Sequence, residues 1–448
     1  MNIFIAGGGR VGTHLARLLS GDNQNVTMIE ADPNRLEQID YNLDVSTAHG
    51  DGASVMLLQK LGVPGADLFV ASMGNDQTNL IAAATAKGLG AKQVVARVDN
   101  PMYIDANILY ESILGIDYIL SPDALAALEM AHYIEHPGVL VSQDFGRGII
   151  QMRQVRVTRS PTTGGRTLKD VLKPGSGVLL GVVDRKGKSS IPHGDTIVEP
   201  GDQITLIGKK DRLEEVQRLF QETAEKPSRV AIMGGGTIGL RLAKVLESKL
   251  KTVKLFERRE HRCEELAALL KKTKVVLRDA TSRIALEQEH IDTFDVFVAA
   301  TNDDERNIMA SVLAKEVGVK MVVAIVHQPD FAPLVERLGI DLAVTPRTSI
   351  ANKILKLVHQ GEFTSLAVLS EGQVEVMEFA LNETSPVLGN QLREIRHKLP
   401  RNALIATILR NNEVIVPSGE DMLLAGDSIV LIVSAEGVEA ARRVLQKR

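Results

Sequence analysis

Tryptophan is absent, and only 5 Tyr and 10 Phe occur among the 448 residues. So few rings argue against a lectin-like or single-strand-binding surface built on stacked aromatics. Cys263 is the one cysteine. No intramolecular disulfide and no cysteine-rich zinc or iron–sulfur site can form, and a lone thiol in so long a chain fits a reducing cytosol. Neither sign of charge dominates: 52 Lys and Arg stand against 56 Asp and Glu, a net charge of −4. That balance argues against nucleic acid as a partner. Long apolar runs are also missing. Segments such as 321–326 and 428–433 are strand-sized, well short of the ~18 residues that cross a bilayer. The opening residues Met1-Asn2-Ile3-Phe4-Ile5-Ala6 lack the basic flank and cleavage signal of a secretory peptide. These tests predict a soluble, intracellular chain, with any membrane contact made through a partner.

What is present is a duplication. Gly7-Gly8-Gly9-Arg10-Val11-Gly12 recurs 227 residues later as Gly234-Gly235-Gly236-Thr237-Ile238-Gly239. Val11, Leu15, Leu18 and Leu19 align with Ile238, Leu242, Val245 and Leu246, one apolar stripe of a helix. Glu30 aligns with Glu257; after a one-residue slip Asp51 matches Asp279 and Asn79 matches Asn307. Each repeat reads as strands alternating with helices. Strands are predicted at 2–6, 26–29, 45–49, 68–71, 93–98 and 118–120, and again at 230–233, 252–256, 274–277, 296–299, 321–326 and 342–344. Many are continuous β-branched or Leu runs, the pattern of a parallel sheet covered on both faces.

A smaller repeat follows each of these. Gly165-Arg166-Thr167-Leu168 and Ser385-Pro386-Val387-Leu388-Gly389 begin its two copies, and Gly201-Asp202 returns as Gly426-Asp427. Short strands between Gly and Pro turns, closed by helices at 211–220 and 437–445, predict a compact α+β module. A charged stretch at 221–229 is the expected central linker. The fold class is α/β: two Rossmann-type, doubly wound parallel-sheet domains alternating with two small α+β domains. The expected boundaries are 1–122, a connecting helix at 123–138, 139–224, then 229–347, a helix at 348–362, and 363–448.

A single G-x-G-x-x-G is weak, but both copies have a strand before, an amphipathic helix after and an acid downstream. Gly7 permits the tight turn, Gly9 lets backbone approach a diphosphate, and Gly12 lets the helix pack close. The helix N-terminus then faces the phosphate. Glu30, 18 residues past Gly12, stands where a carboxylate accepts from a ribose diol and repels a 2′-phosphate, favouring NAD or another adenine nucleotide over NADP. Glu257 keeps the position, with Arg258 and Arg259 read as a solvated charge run or as phosphate contacts. Asp51 and Asp279 fit either an adenine amino group or a helix N-cap. Met73-Gly74-Asn75-Asp76 and Thr301-Asn302-Asp303-Asp304 follow the fourth strands, so they should line the crevice, their carboxylates serving as N-caps and favourable charges in a first helical turn. Arg97 could bind phosphate or form a surface ion pair; Ile325 takes its place in the second repeat. A zinc role for His132 and His136 lacks the Glu of H-E-x-x-H, and Cys263 has no catalytic setting.

With these residues in view, the chain resembles the RCK (also KTN) regulators of potassium transport over essentially its whole length. The resemblance rests on both glycine loops, Glu30 and Glu257, Gly50-Asp51 and Asp279-Ala280, 301–305, Ala96-Arg97-Val98, and the Gly201-Asp202 and Gly426-Asp427 turns. The alternating order is more specific than any one motif. Ile325, and Arg278 in place of Gly50, are departures that make the two sites unequal. The resemblance implies cofactor contacts from Gly7, Gly8, Gly9, Arg10, Val11, Gly12, Glu30, Asp51, Met73, Gly74, Arg97 and Val98. In the second repeat it implies them from Gly234, Gly235, Gly236, Thr237, Ile238, Gly239, Glu257, Asp279 and Thr301. It also implies NAD(H) and ATP or ADP as ligands, a homotetrameric ring, and a TrkH-type membrane potassium channel as partner at the cytoplasmic face of the inner membrane. The competing reading is an NAD-dependent dehydrogenase with a duplicated Rossmann domain. It requires an acid–base constellation that neither small module offers. A scaffold with vestigial loops is a third.

Overall fold

The computed structural model describes residues 1–21, 24–158, 167–172, 176–221, 226–328, 331–359, 365–369, 373–400 and 402–445. The first repeat runs β1 (Asn2–Ala6), α1 (Arg10–Gly21), β2 (Asn25–Glu30), α2 (Pro33–Asn42), β3 (Ser46–His49), α3 (Val55–Leu61) and β4 (Leu68–Ala71). It continues through α4 (Asp76–Leu89), β5 (Gln93–Arg97), α5 (Pro101–Asp105), α6 (Asn107–Leu114), β6 (Tyr118–Leu120) and α7 (Pro122–Glu135). Its sheet is wholly parallel, in the order β3-β2-β1-β4-β5-β6. The order reverses between β1 and β4, which opens a crevice above the carboxyl ends of the strands. Ile3, Ile5, Leu68, Val70, Val94 and Val95 are fully buried, as expected where helices cover both faces.

The first small module follows: β7 (Val139–Phe145), β8 (Ile150–Arg156), α8 (Leu168–Val171), β9 (Val178–Arg185), β10 (Lys188–Ser190), β11 (Gln203–Lys209) and α9 (Lys210–Phe220). The second large repeat is β12 (Arg229–Met233), α10 (Thr237–Leu246), β13 (Thr252–Glu257), α11 (Glu260–Leu269), β14 (Lys274–Leu277), α12 (Arg283–Gln288) and β15 (Val296–Ala299). Then come α13 (Asp304–Val317), β16 (Met321–Ile325), α14 (Ala332–Arg337), β17 (Leu342–Val344) and α15 (Pro346–His359). Its sheet order, β14-β13-β12-β15-β16-β17, repeats the first. The last module is β18 (Ser365–Leu369), β19 (Val374–Ala380), α16 (Leu392–Ile395), β20 (Ala403–Arg410), β21 (Glu413–Ile415), β22 (Ser428–Ser434) and α17 (Val438–Leu445). Gly165 and Arg166, and residues 222–225 of the expected linker, lie outside the described residues. The connecting helices are α7, which ends at Glu135, earlier than expected, and α15, whose expected residues 360–362 lie outside the described residues.

The four repeats gather into two compact units, and each pairs like with like. One holds residues 1–135 and 226–355, the other 136–225 and 356–448. In the first unit the connecting helix of one half packs on the other half. Glu135 of α7 accepts from Lys249 Nζ at 2.6 Å, and Ser349 Oγ of α15 donates to Glu129 of α7 at 2.6 Å. In the second unit the antiparallel sheets β10-β9-β11-β8-β7 and β18-β19-β22-β20-β21 share a core that includes Phe145, Met152, Val182, Val376, Val430 and Ile432. A bidentate ion pair closes the Gly-Asp turn of each module, Arg185 on Asp202 and Arg410 on Asp427, both at 2.8 Å.

A buried Asn stitches the crevice end of each parallel sheet. Asn79 Oδ1 accepts from Met73 N at 2.7 Å, and its Nδ2 donates to Met73 O and Arg97 O. Asn307 does the same for Thr301 and Ile325. One side chain thereby ties the loop after the fourth strand to the end of the fifth. Asn79→Ala or Asn307→Ala leaves these backbone groups unpaired and is expected to lower stability by about 2–3 kcal/mol. The urea midpoint of the full chain should fall in each variant; a midpoint equal to wild type refutes the role.

Candidate functional site

The first loop is fixed from three sides. Gly7 has φ +108°, and its N–H donates to Ile29 O at 2.8 Å. A Cβ there would stand 2.6 Å from Ser72 O. A Cβ on Gly12 would run into the carbonyl oxygen of Gly7, so helix and turn touch backbone to backbone. Gly9 has open space beside it. Gly8 N donates to Glu30 Oε2 at 2.6 Å, and Glu30 Oε1 accepts from Asp32 N at 2.9 Å. Glu30 is buried, with Arg35 3.5 Å from Oε2. The carboxylate expected at the ribose therefore also holds the loop. Val11 is half-buried and Arg10 exposed.

The second loop repeats this frame with one change. Gly234 has φ +108°, a Cβ on Gly239 would meet Gly234 O, and Gly235 N donates to Glu257 Oε2 at 3.1 Å. Gly236 flanks open space, as Gly9 does. Thr237 opens α10, and Ile238 is buried in its packing face. Glu257 Oε1, however, accepts from Arg258 N and Arg259 N at 3.0 Å and from Arg259 Nε at 3.1 Å. Burial raises the Glu257 pKa, but the Arg259 side chain and these amide groups outweigh it, and the net shift is downward. Arg259 is thus the ion-pair partner of Glu257, which corrects its reading as a solvated charge run. A cleft of about 300 Å³ opens among residues 233–236, 256–259, 278–280 and 301–303, with Arg306 at its wall.

Asp51 and Asp279 end the third strands' loops but are not N-caps: Ser54 and Ser282 hold those positions. Asp51 Oδ1 accepts from Ala53 N. Asp279 Oδ1 accepts from Thr281 N and Oγ1, and Arg306 Nη2 lies 2.9 Å from both carboxylate oxygens. Burial opposes ionisation, yet the Thr281 and Arg306 hydrogen bonds prevail and bring the Asp279 pKa down to about 2. In the loops after the fourth strands, Asn75 and Asp303 cap α4 and α13. Asp76 and Asp304 instead turn away to the fifth strands. Asp76 accepts from Asp99 N and Asn100 N, and Asp304 from His327 N and Gln328 N. Met73 and Thr301 are bound by Asn79 and Asn307, and Gly74 has open space beside it.

Arg97 donates to Asp99 at 2.6 Å, the ion-pair alternative, while its Nε stays buried without a partner. Val98 is fully buried and its N–H donates to Leu120 O, so its side chain belongs to the core beneath the crevice. Cys263 lies against Glu257 O at 3.5 Å, and burial raises its thiol pKa. Among the described residues no group of three or more His, Cys, Asp and Glu side chains is disposed to hold a metal. No helix among them is long and apolar enough to cross a membrane. Sequence reasoning missed the roles of Asn79, Asn307 and Arg306. The available signal was an Asn repeated 228 residues apart within an otherwise small-apolar helix face.

The TrkA-N domain family matches residues 3–122 and 230–346, and the TrkA-C domain family matches 152–221 and 376–446. The chain is 34% identical over 446 residues to a Trk system potassium uptake protein TrkA homolog of Archaeoglobus fulgidus, covering 100% of both. It is 31% identical to the Trk system potassium uptake protein TrkA of Halomonas elongata, covering 97% of this chain and 96% of that one. Among solved structures, the GsuK RCK domain aligns with a TM-score of 0.63 at 20% identity, over 99% of this chain and 94% of that one. That last likeness concerns the fold.

The two glycine positions separate folding from binding. Gly12→Ala is expected to destabilise by several kcal/mol, of order 3. Gly9→Ala should leave thermal stability within about 0.5 kcal/mol, while its methyl group would enter the open space where the sequence places a diphosphate. NADH titration of Gly9→Ala at unchanged affinity refutes that placement. For Asp279 the folded pKa lies below the unfolded value of about 3.9, so its stabilisation is complete above pH ~4 and is lost as pH falls through about 2. Carboxyl NMR should find that midpoint, and Arg306→Ala should raise it; an unmoved midpoint excludes Arg306 as the cause.

Proposed function

The chain belongs to the TrkA family of potassium-uptake regulators, and from that premise we propose that it is a nucleotide-sensing subunit that gates a TrkH-type membrane potassium channel. In this reading NAD(H) and ATP or ADP enter the crevices, and their occupancy biases the shape of a homotetrameric ring at the cytoplasmic face of the membrane. The observation that carries it is the doubled glycine turn, each copy with a buried carboxylate on its second amide. One related fold, the GsuK channel, is described as bound to NAD.

The chemistry fits a sensor. Among the described residues the second crevice is lined by Arg, Asp, Glu, Gly, Ala, Thr and Asn with Met233 and Phe256, and by no His or Lys to move protons. A duplicated site serves a readout better than a single turnover. Exposed Ile108, Leu109 and Ile113 on α6 form an apolar face of the kind that self-association would cover. A nucleotide can move the gate only by its affinity difference between two ring states. A triphosphate and a diphosphate differ in the charge they place beside Arg10 and Arg97, which lie on one cleft with Asp303 and Glu305 of the other half.

Glu30→Ala removes an acceptor at the ribose position and is expected to weaken NADH binding at the first crevice by about 1–3 kcal/mol. Calorimetry on the full chain reads this directly, and equal affinity rejects the assignment. Potassium flux through the reconstituted channel should change when each nucleotide is added. Flux that ignores all of them, or steady oxidation of NADH against a metabolite panel, rejects the sensor.

A further inference from the structure

The two crevices share a frame but not a charge, and the difference is concentrated where the second and third strands of each repeat end. Arg258 follows β13 and Arg278 follows β14, neighbouring parallel strands whose last paired residues are Glu257 and Leu277. Both arginines are exposed and both line the second crevice. Their backbone N–H groups donate to Glu257, Arg258 N to Oε1 and Arg278 N to the main-chain oxygen, at 3.0 Å each. Among the described residues no hydrogen bond or ion pair engages either guanidinium group. Resting on the reading of the crevices as adenine-nucleotide sites, we propose that the second takes a nucleotide phosphorylated on the ribose 2′-hydroxyl, of the NADP(H) class, while the first takes the free diol.

Three observations carry it. First, the acid that would repel such a phosphate is cancelled. A carboxylate at the end of the second strand accepts from a ribose diol and disfavours a 2′-phosphate, whereas a nearby arginine accommodates one. Glu257 Oε2 is engaged by Gly235 N, and Arg259 holds both oxygens, Oε1 at 3.1 Å and Oε2 at 3.4 Å. Asp279 is closed in the same way by Arg306. Second, two cations are left over once these pairs are made. A lone exposed arginine is ordinarily a solvated charge. Here Arg258 and Arg278 are pinned through their backbones to one glutamate and border one cleft, and two guanidinium forks match the oxygens of a phosphate dianion. Third, the first repeat has none of this. Ala31, Asp32, Gly50 and Thr78 stand in the places of Arg258, Arg259, Arg278 and Arg306. Glu30, Asp32 and Asp51 therefore meet no cation from those four positions. Arg35, 3.5 Å from Glu30, has its counterpart in Arg262 and does not account for the difference. The frame folds with or without the four arginines, so they answer to the ligand and not to the fold.

Adenosine 2′,5′-bisphosphate, titrated into the full chain by calorimetry at fixed ionic strength, is the probe, with NADH and adenosine 3′,5′-bisphosphate as comparisons. The 2′,5′ isomer should bind, and more tightly than the 3′,5′ isomer. Arg258→Ala and Arg278→Ala should each weaken it by about tenfold or more, with a thermal midpoint as in wild type because neither side chain is packed or paired. Glu30→Ala, which acts at the other crevice, should weaken NADH instead. Four results would each overturn the proposal while the sensor stands, since NADH still binds in all of them: no binding of the 2′,5′ isomer, tighter binding of the 3′,5′ isomer, unchanged affinity in both arginine variants, or loss of the 2′,5′ isomer in Glu30→Ala. If neither NADH nor a bisphosphate binds, the nucleotide-sensing reading itself falls and takes this inference with it.

Discussion

A carboxylate at the end of the second strand, accepting the N–H of the second loop glycine, organises each large repeat. Glu30 does this at 2.6 Å and Glu257 at 3.1 Å. The first loop amide bonds the second strand, Gly7 N to Ile29 O and Gly234 N to Phe256 O, and the next finds its acceptor in the acid. Anchoring one of them on a buried acid fixes the others for a ligand at no cost in reorganisation on binding. The helix can sit so close to the strand because residues 12 and 239 lack a side chain, and that proximity brings its N-terminal dipole to the same point. The Asn79 and Asn307 bridges then hold the opposite lip. The crevice is a rigid frame whose occupancy can be transmitted, because little of it is free to absorb a change.

Much of this was legible in the sequence. Short continuous apolar runs such as Leu68-Phe69-Val70-Ala71, repeated in register across both halves, located the strands of both parallel sheets to within a residue or two. The 227-residue offset supplied the repeat and the glycine turns supplied the site. What sequence could not show was partnership in space. Nothing in α7 marks it as a helix that packs against α10, because its small and large apolar residues suit either half. Nor does the order of four modules say that the two sheets of each kind pair. Side-chain pairings across the loops were equally hidden. Arg259 next to Glu257 reads as a charge run until the chain turns back, and Arg306 reaches Asp279 from a helix 27 residues away. The polar residues after the fourth strands divided their work: Asn75 and Asp303 took the caps, while Asp76 and Asp304, in the first helical turns as expected, also hold the amides beyond the fifth strand.

These pairings make the two crevices chemically different despite their common frame. At the second, Arg259 occupies Glu257 and Arg306 occupies Asp279, so both acids expected to read a nucleoside already carry a cation. At the first, Asp32 stands in the place of Arg259 and Thr78 in the place of Arg306. Glu30 accepts two backbone amides and meets a cation, Arg35, only at 3.5 Å, and Asp51 holds a backbone amide. A ribose diol entering the first crevice finds acceptor oxygens with capacity to spare. Entering the second, it must share those oxygens with guanidinium groups or displace them, and displacement exposes a buried acid whose ionised form those groups stabilise. The same polar frame therefore binds with two different reference energies. For a regulator this has a direct consequence. Linkage requires that occupancy differ between states over the range of nucleotide found in the cell. Two equal sites would respond together over a single narrow range, whereas a free site and a self-neutralised one respond at separate concentrations. In the proposed sensor the arginines at 259 and 306 would set the threshold of the second crevice by competing for its acids, and the duplication would yield a graded reading from one repeated frame.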